Sequence, residues 1–177
     1  MGSIAKKELT AQHISVTLVD RIMEDVRQIS SSLDDIVWNI SPKNDALSSL
    51  IARMTRYASE LFEAKQIDFK LLMPDRFSDI KLSMDQRRNI YLIFKESVNN
   101  LVKYSKCTEA LVSIKMDKSN VFLTIKDNGL GFDPAAPTDR NGIRNLKERS
   151  LSLKGVLDIQ SIRGEGTVIR LQFPIDP

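Results

Sequence analysis

"ESVNNLVKYSK", residues 96–106, is a helix segment carrying a carboxylate, two adjacent amides and a lysine where packing alone asks for apolar side chains. Asn is a poor helix former, and here it occurs twice running, at Asn99 and Asn100. At about 100° per residue, Ile90, Phe94, Val98 and Leu101 share one side of the helix. Glu96, Asn100 and Lys103 form a narrow stripe on the other, which Asn89 extends. Any amphipathic helix shows a polar stripe of this kind to water. A carboxylate and an amide oxygen one turn apart can also hold a hard cation such as Mg2+, and a lysine one turn further on meets phosphate as a point charge.

Working outward, Ser83 and Gln86 form an S-x-x-Q capping box, so the helix is expected to begin there and to run to about Lys106. "IDFKLLM" (67–73) before it, and "TEALVSIKM" (108–116) and "NVFLTIKD" (120–127) after it, read as strands. "DNGLGFDPAAPTDRNG" (127–142) is irregular, and a further helix covers roughly 143–153. "GVLDIQSIR" and "TVIRLQF" are strands joined by "GEG", a hairpin signal. The fold class expected is α+β: a two-layer sandwich of a mixed, mostly antiparallel sheet with helices on one face.

In front of this domain the apolar residues Val19, Ile22, Val26, Ile29, Leu33, Ile36 and Ile40 recur in steps of three and four. That is a heptad seam of about three heptads, the pattern of a long coiled-coil-type helix seeking a partner helix. Residues 1–18 break the pattern. Pro42 cannot continue the helix, and Asn44 or Asp45 is expected to cap a second helix through about Gln66. The expected division is a helical segment over 1–41 and a globular domain over 45–177. Trp38, beside the seam, reads as a packing anchor.

The bulk numbers restrict the class. The chain has 177 residues, 42% apolar and 28% charged, a globular balance. Its 26 basic and 23 acidic residues leave a net charge of +3, too even for a dedicated nucleic-acid binder. No stretch approaches the about 20 apolar residues of a membrane span, so no membrane contact is expected here. Cys107, the single cysteine, excludes an internal disulfide and reads as a small buried hydrophobe in a reducing, cytoplasmic setting. The opening "MGS" reads as an added leader, which makes the chain a piece of a longer protein whose membrane anchor, if it has one, lies elsewhere.

Asp127 at the end of a strand can accept an exocyclic N–H of a base. Gly129 and Gly131 let the backbone turn sharply against a ligand, and Gly142 at a helix N-terminus offers an anion site. "DNG" and "GEG" are also ordinary turns when taken alone. In this order, however, "ESVNNLVKYS", "DNGLGF", "NGIRNLKER" and "GEGT" resemble the N, G1, G2 and final glycine boxes of the Bergerat-type ATP-binding domain of sensor histidine kinases. "DDIVWNISPKND" is similar to the junction between dimerisation helices and that domain in the nitrate-sensor-like subgroup.

The resemblance implies roles. Asn100 matches the Mg2+-ligating asparagine, Glu96 the carboxylate that in related ATPases positions or activates water, and Lys103 the phosphate contact. Asp127 matches the adenine-reading aspartate, with Gly129 and Gly131 in the G1 turn. Gly142 matches the far end of a lid spanning 133–141, and Thr167 the threonine beside the adenine. Tyr104, in the nucleotide-binding set, stands where the family often has His, and Arg140 where a first glycine would stand. The resemblance further implies Mg-ATP as cofactor, homodimerisation through the N-terminal helix, and a response-regulator receiver domain as partner. The family's phosphoacceptor is a His followed by an acid on the first helix of a hairpin. The only histidine here is His13, with no acid after it. The chain is therefore expected to hold the second helix of that hairpin and the ATP domain, to bind Mg-ATP, and to autophosphorylate little. An anti-sigma-type serine kinase, or a non-catalytic nucleotide-binding scaffold on the same fold, is the alternative.

Overall fold

The computed structural model describes residues 2–74, 80–117, 119–134 and 142–175, with side chains from residue 18 onward except Gln28. The chain divides into two compact units, Met1–Ser41 and Pro42–Pro177. The first is one helix, α1 (Gly2–Ile40). Its seam residues are left to solvent, from 51% exposed at Val19 to 68% at Ile29. This is a row of aliphatic side chains that repeats every three to four residues, the spacing of a coiled-coil seam, and faces water. His13 lies on this helix, and its side chain is outside the described residues. No helix among the described residues is long and apolar enough to cross a membrane.

The second unit opens with a 3-10 turn at Pro42–Asn44 and then α2 (Leu47–Ala64). The expected cap at Asn44 or Asp45 is not made. Ala46 occupies the cap position without a side-chain bond. The Asp45 carboxylate instead accepts from the Arg87 guanidinium, which is 2% exposed. A charge that deep needs its partner more than a helix end needs a cap, since water can satisfy the latter. Burial also pulls the Arg87 pKa down. Asp45→Ala, which removes this ion pair, should lower stability by about 2 kcal/mol, read as a shift in urea midpoint at constant slope; an unchanged midpoint would remove the pair from the account.

The remaining elements are β1 (Asp68–Leu72), α3 (Met84–Asn100), β2 (Glu109–Met116), β3 (Asn120–Asp127), α4 (Gly142–Ser152), β4 (Val156–Ile162) and β5 (Gly166–Pro174). The strands form one sheet in the order β1-β2-β3-β5-β4. β1 and β2 run parallel and the other pairs antiparallel, the mixed arrangement expected. Register stacks the apolar positions on one face: Val112 opposite Ile125, Ile125 opposite Ile169, Leu123 opposite Leu171. That face is buried, while Lys115, Lys126, Arg170 and Gln172 on the other are exposed. Phe62, Ile93, Phe94, Val98 and Leu146 from the helices complete the core.

α3 begins at the Ser83–Gln86 capping box, with both reciprocal bonds made. Its far end departs from expectation. α-Helical geometry stops at Asn100, and residues Leu101–Ser105 form a π-helical turn closed by Lys106 at a left-handed φ of 51°. The wider turn breaks the i, i+4, i+7 stripe. It leaves Lys103 exposed and brings Tyr104 to the lining of a cavity.

Candidate functional site

A cavity of about 300 Å³ lies among α3, the π-turn, α4 and the sheet. Its walls are apolar: Leu101, Ile125, Phe132, Ile143, Leu146, Ile159 and Ile169. Into these walls are set Asn100, Tyr104, Asp127 and Thr167, with Gly131 and Gly142 also in the lining. An apolar cleft with a few convergent polar groups is the general form of a small-ligand site, at the small end of the usual size range.

Asp127 is the last residue of β3 and only 5% exposed. Its carboxylate accepts the Gly129 N–H at 2.8 Å. Burial pushes its pKa above the ordinary carboxylate value, opposed by the N–H donors of Gly129 and Thr167. Thr167 faces it across the β3–β5 ladder. Next along, Asn128 clamps the turn: its amide oxygen accepts the Thr108 and Glu109 N–H groups, each at 3.0 Å, and its amide nitrogen donates to the Thr108 hydroxyl at 2.9 Å.

The glycines leave no room for a side chain. A Cβ on Gly129 would lie 2.3 Å from the Ser105 carbonyl oxygen, and one on Gly131 2.0 Å from that of Ile162. Gly131 also has a φ of +58°, a backbone setting glycine adopts freely. At the start of α4, a Cβ on Gly142 would meet the Glu96 Oε1 at 2.7 Å and the Asn100 Nδ2 at 3.4 Å. The helix N-terminus thus abuts the carboxylate and amide of α3. Asn100 Nδ2 donates to Glu96 Oε1 at 3.1 Å, which engages one of the two amide N–H groups and orients an amide whose oxygen can take a ligand.

Of the sequence candidates, Asn100, Tyr104, Asp127, Gly131, Gly142 and Thr167 line the cavity. Glu96 stands behind Asn100, and Gly129 behind Asp127. Lys103 is exposed on the π-turn and outside the lining. Asn89, placed on the same stripe, lies toward α4 instead, 3.5 Å from the Arg149 guanidinium. Asn99 accepts the Tyr57 hydroxyl at 2.9 Å and so pins α2 to α3. Of the lid, residues 135–141, including Arg140, lie outside the described residues. Cys107 is buried at 8% exposure, and that burial raises its thiol pKa. Phe132, Arg163 and Ser161 were not singled out from sequence. Ser161 had a signal, a hydroxyl on the same strand face as Leu157 and Ile159.

Comparison with known proteins gives one family. Residues 85–177 match the family described as histidine kinase-, DNA gyrase B- and HSP90-like ATPase. The sensor histidine kinase ComP of Bacillus subtilis is 28% identical over 124 residues, covering 68% of this chain and 15% of ComP. The histidine-protein kinase/phosphatase DegS of the same organism is 31% identical over 124 residues, covering 67% of this chain and 32% of DegS. The chain thus spans a third or less of these relatives. Among solved structures, Acinetobacter baumannii histidine kinase AdeS superimposes with a TM-score of 0.62 at 14% identity, covering 91% of this chain and 85% of that one. The histidine kinase domain of Erythrobacter litoralis EL346 blue-light activated histidine kinase gives 0.59 at 18% identity, covering 71% and 61%. At these identities the superpositions establish a shared fold.

Proposed function

The chain belongs to the histidine kinase-, DNA gyrase B- and HSP90-like ATPase family, and from that premise we propose that it is the ATP-binding catalytic region of a two-component sensor histidine kinase. The observation that carries the reading is Asp127, a buried carboxylate in an apolar cavity whose lining also holds Asn100 and Gly142. Asp127 accepts the exocyclic N–H of adenine, and Thr167 stands beside it. Tyr104 and the aliphatic walls cover the faces of the base. Gly129 and Gly131 hold the loop close enough for that contact. The N-terminus of α4 at Gly142 points N–H groups at the phosphates, and Lys103 serves as an outer phosphate contact.

The donor set also fits Mg2+. Asn100 contributes one amide oxygen, oriented by the bond to Glu96, and Mg2+ fills its octahedron with few protein oxygens, nucleotide phosphates and water. When bound, it neutralises charge on the phosphates. Glu96 keeps the amide oriented and positions or activates the attacking group. The γ-phosphoryl passes to a histidine and then to the aspartate of a response-regulator receiver domain. Two copies pair through the exposed seam of α1, on the cytoplasmic side of the cell.

Calorimetry with Mg-ATP and incubation with γ-labelled ATP test this together. The expected result is Mg-ATP binding with no acid-labile label on this chain, and label on a separate helical hairpin that carries a His-acid pair and is added in trans. Absence of ATP binding would sink the nucleotide reading. Label on the chain itself would show that His13 is an acceptor after all.

A further inference from the structure

Ser161 sits on β4 outside the cavity lining, half-buried, and its Oγ has a polar neighbour in each of three directions. The Phe132 N–H donates to it at 2.8 Å. The Gly166 carbonyl oxygen lies 3.1 Å away and the Thr167 Oγ1 2.9 Å away. A serine hydroxyl has one proton and two lone pairs. The Phe132 N–H can only donate and the Gly166 carbonyl can only accept. One arrangement satisfies all of them. Ser161 gives its proton to Gly166, and its lone pairs take the Phe132 N–H and the Thr167 O–H.

Thr167 has only one proton, and this arrangement commits it to Ser161. What Thr167 turns toward the cavity is lone pairs. Its cross-strand neighbour is Asp127, whose carboxylate when charged also only accepts. At this corner of the cavity Thr167 and Asp127 therefore present two acceptors side by side.

We propose that Ser161 is a positioning residue that sets base specificity: by taking the Thr167 proton it makes that side chain accept-only, and so selects a 6-amino purine over a 6-oxo purine. The proposal rests on the nucleotide reading above and deepens it. An amino group brings N–H donors to the two acceptors. An oxo group brings lone pairs against lone pairs, and a buried site built for a donor discriminates strongly against a ligand that lacks it. Without Ser161, the Thr167 hydroxyl is free to rotate and donate to an oxo group.

The test is calorimetric titration of the whole chain with Mg-ATP and with the magnesium complex of inosine triphosphate, which differs at the 6-position and the adjoining ring nitrogen. The unmodified chain should prefer ATP. Ser161→Ala should reduce the ATP-to-inosine-triphosphate affinity ratio by about tenfold or more. Ser161→Thr keeps a hydroxyl and should keep the ratio. Thr167→Val removes the lone pairs and should lower the ratio by a separate route, which serves if the alanine variant does not fold. Equal weakening of both nucleotides in Ser161→Ala would overturn the proposal and give Ser161 a merely structural role. A ratio left intact in Thr167→Val, or lost in Ser161→Thr, would overturn it too. An unmodified chain that binds ATP without preferring it overturns the proposal alone; one that binds neither nucleotide overturns the nucleotide reading, and the proposal with it.

Discussion

Asp127→Asn should lower affinity for ATP about a hundredfold while leaving the fold intact. The asparagine has the volume of the aspartate, and its oxygen can still accept the Gly129 N–H now bonded at 2.8 Å. Its second terminal group, however, is an NH2 donor, and it then faces the amino group of the base donor to donor. Replacing a charge-assisted bond by that mismatch in a buried site is worth about 2–3 kcal/mol, which is about a hundredfold in Kd. Stability moves the other way or not at all. Burial raises the Asp127 pKa in the folded chain. A group with a raised folded pKa contributes stability that is present below its unfolded pKa and lost as pH rises through the folded one. At neutral pH its charge opposes folding, so a neutral amide should hold or raise the thermal midpoint. Calorimetry and thermal denaturation on the same preparation separate the two effects. ATP affinity within twofold of the unmodified chain would place the nucleotide elsewhere.

Gly166→Ala should be among the most damaging single methyls in the domain. Gly166 has a φ of +90°, and a Cβ there would lie 2.1 Å from the Asp127 carbonyl oxygen. A backbone atom in a central strand cannot swing aside as a side-chain tip can. The expected destabilisation is about 3 kcal/mol or more, or about 10 °C in Tm for a domain of this size. The same turn contains its control. Gly164 has a φ of +86° with nothing within 4 Å of its Cβ. Gly164→Ala therefore carries only the conformational strain, about 1 kcal/mol. Equal effects at the two positions would contradict the close approach of β5 to the end of β3.

Much of this architecture is legible from local chemistry. The Ser83–Gln86 box, the alternation of Val121, Leu123 and Ile125, and the seam of α1 each depend on spacings of a few residues. What sequence reading missed depends on partners far along the chain. Asp45 looked like a cap because its charge partner, Arg87, is 42 residues away. Asn99 reads from sequence only as an unfavourable helix residue beside Asn100, while its oxygen is engaged by Tyr57, also 42 residues away. The π-turn is the clearest case. Its closing carbonyl, that of Ser105, accepts the Leu130 N–H at 2.7 Å, and Gly129 presses against the same residue. The loop after β3 is thus packed on the turn, and a reading at 3.6 residues per turn carried the helix straight through it. The straight reading puts Lys103 in line with Asn100, whereas the turn leaves Lys103 exposed and brings Tyr104 to the cavity lining.

The packing of Gly129, Gly131 and Gly166 against the carbonyls of Ser105, Ile162 and Asp127 has a pharmacological consequence. This corner of the cavity is framed largely by main chain, which mutation cannot easily reshape. A ligand seated against it draws on contacts that substitution at these positions can alter only by destabilising the domain itself. Selectivity between related proteins would then rest on the side chains of the lining, such as Tyr104, Phe132 and Arg163.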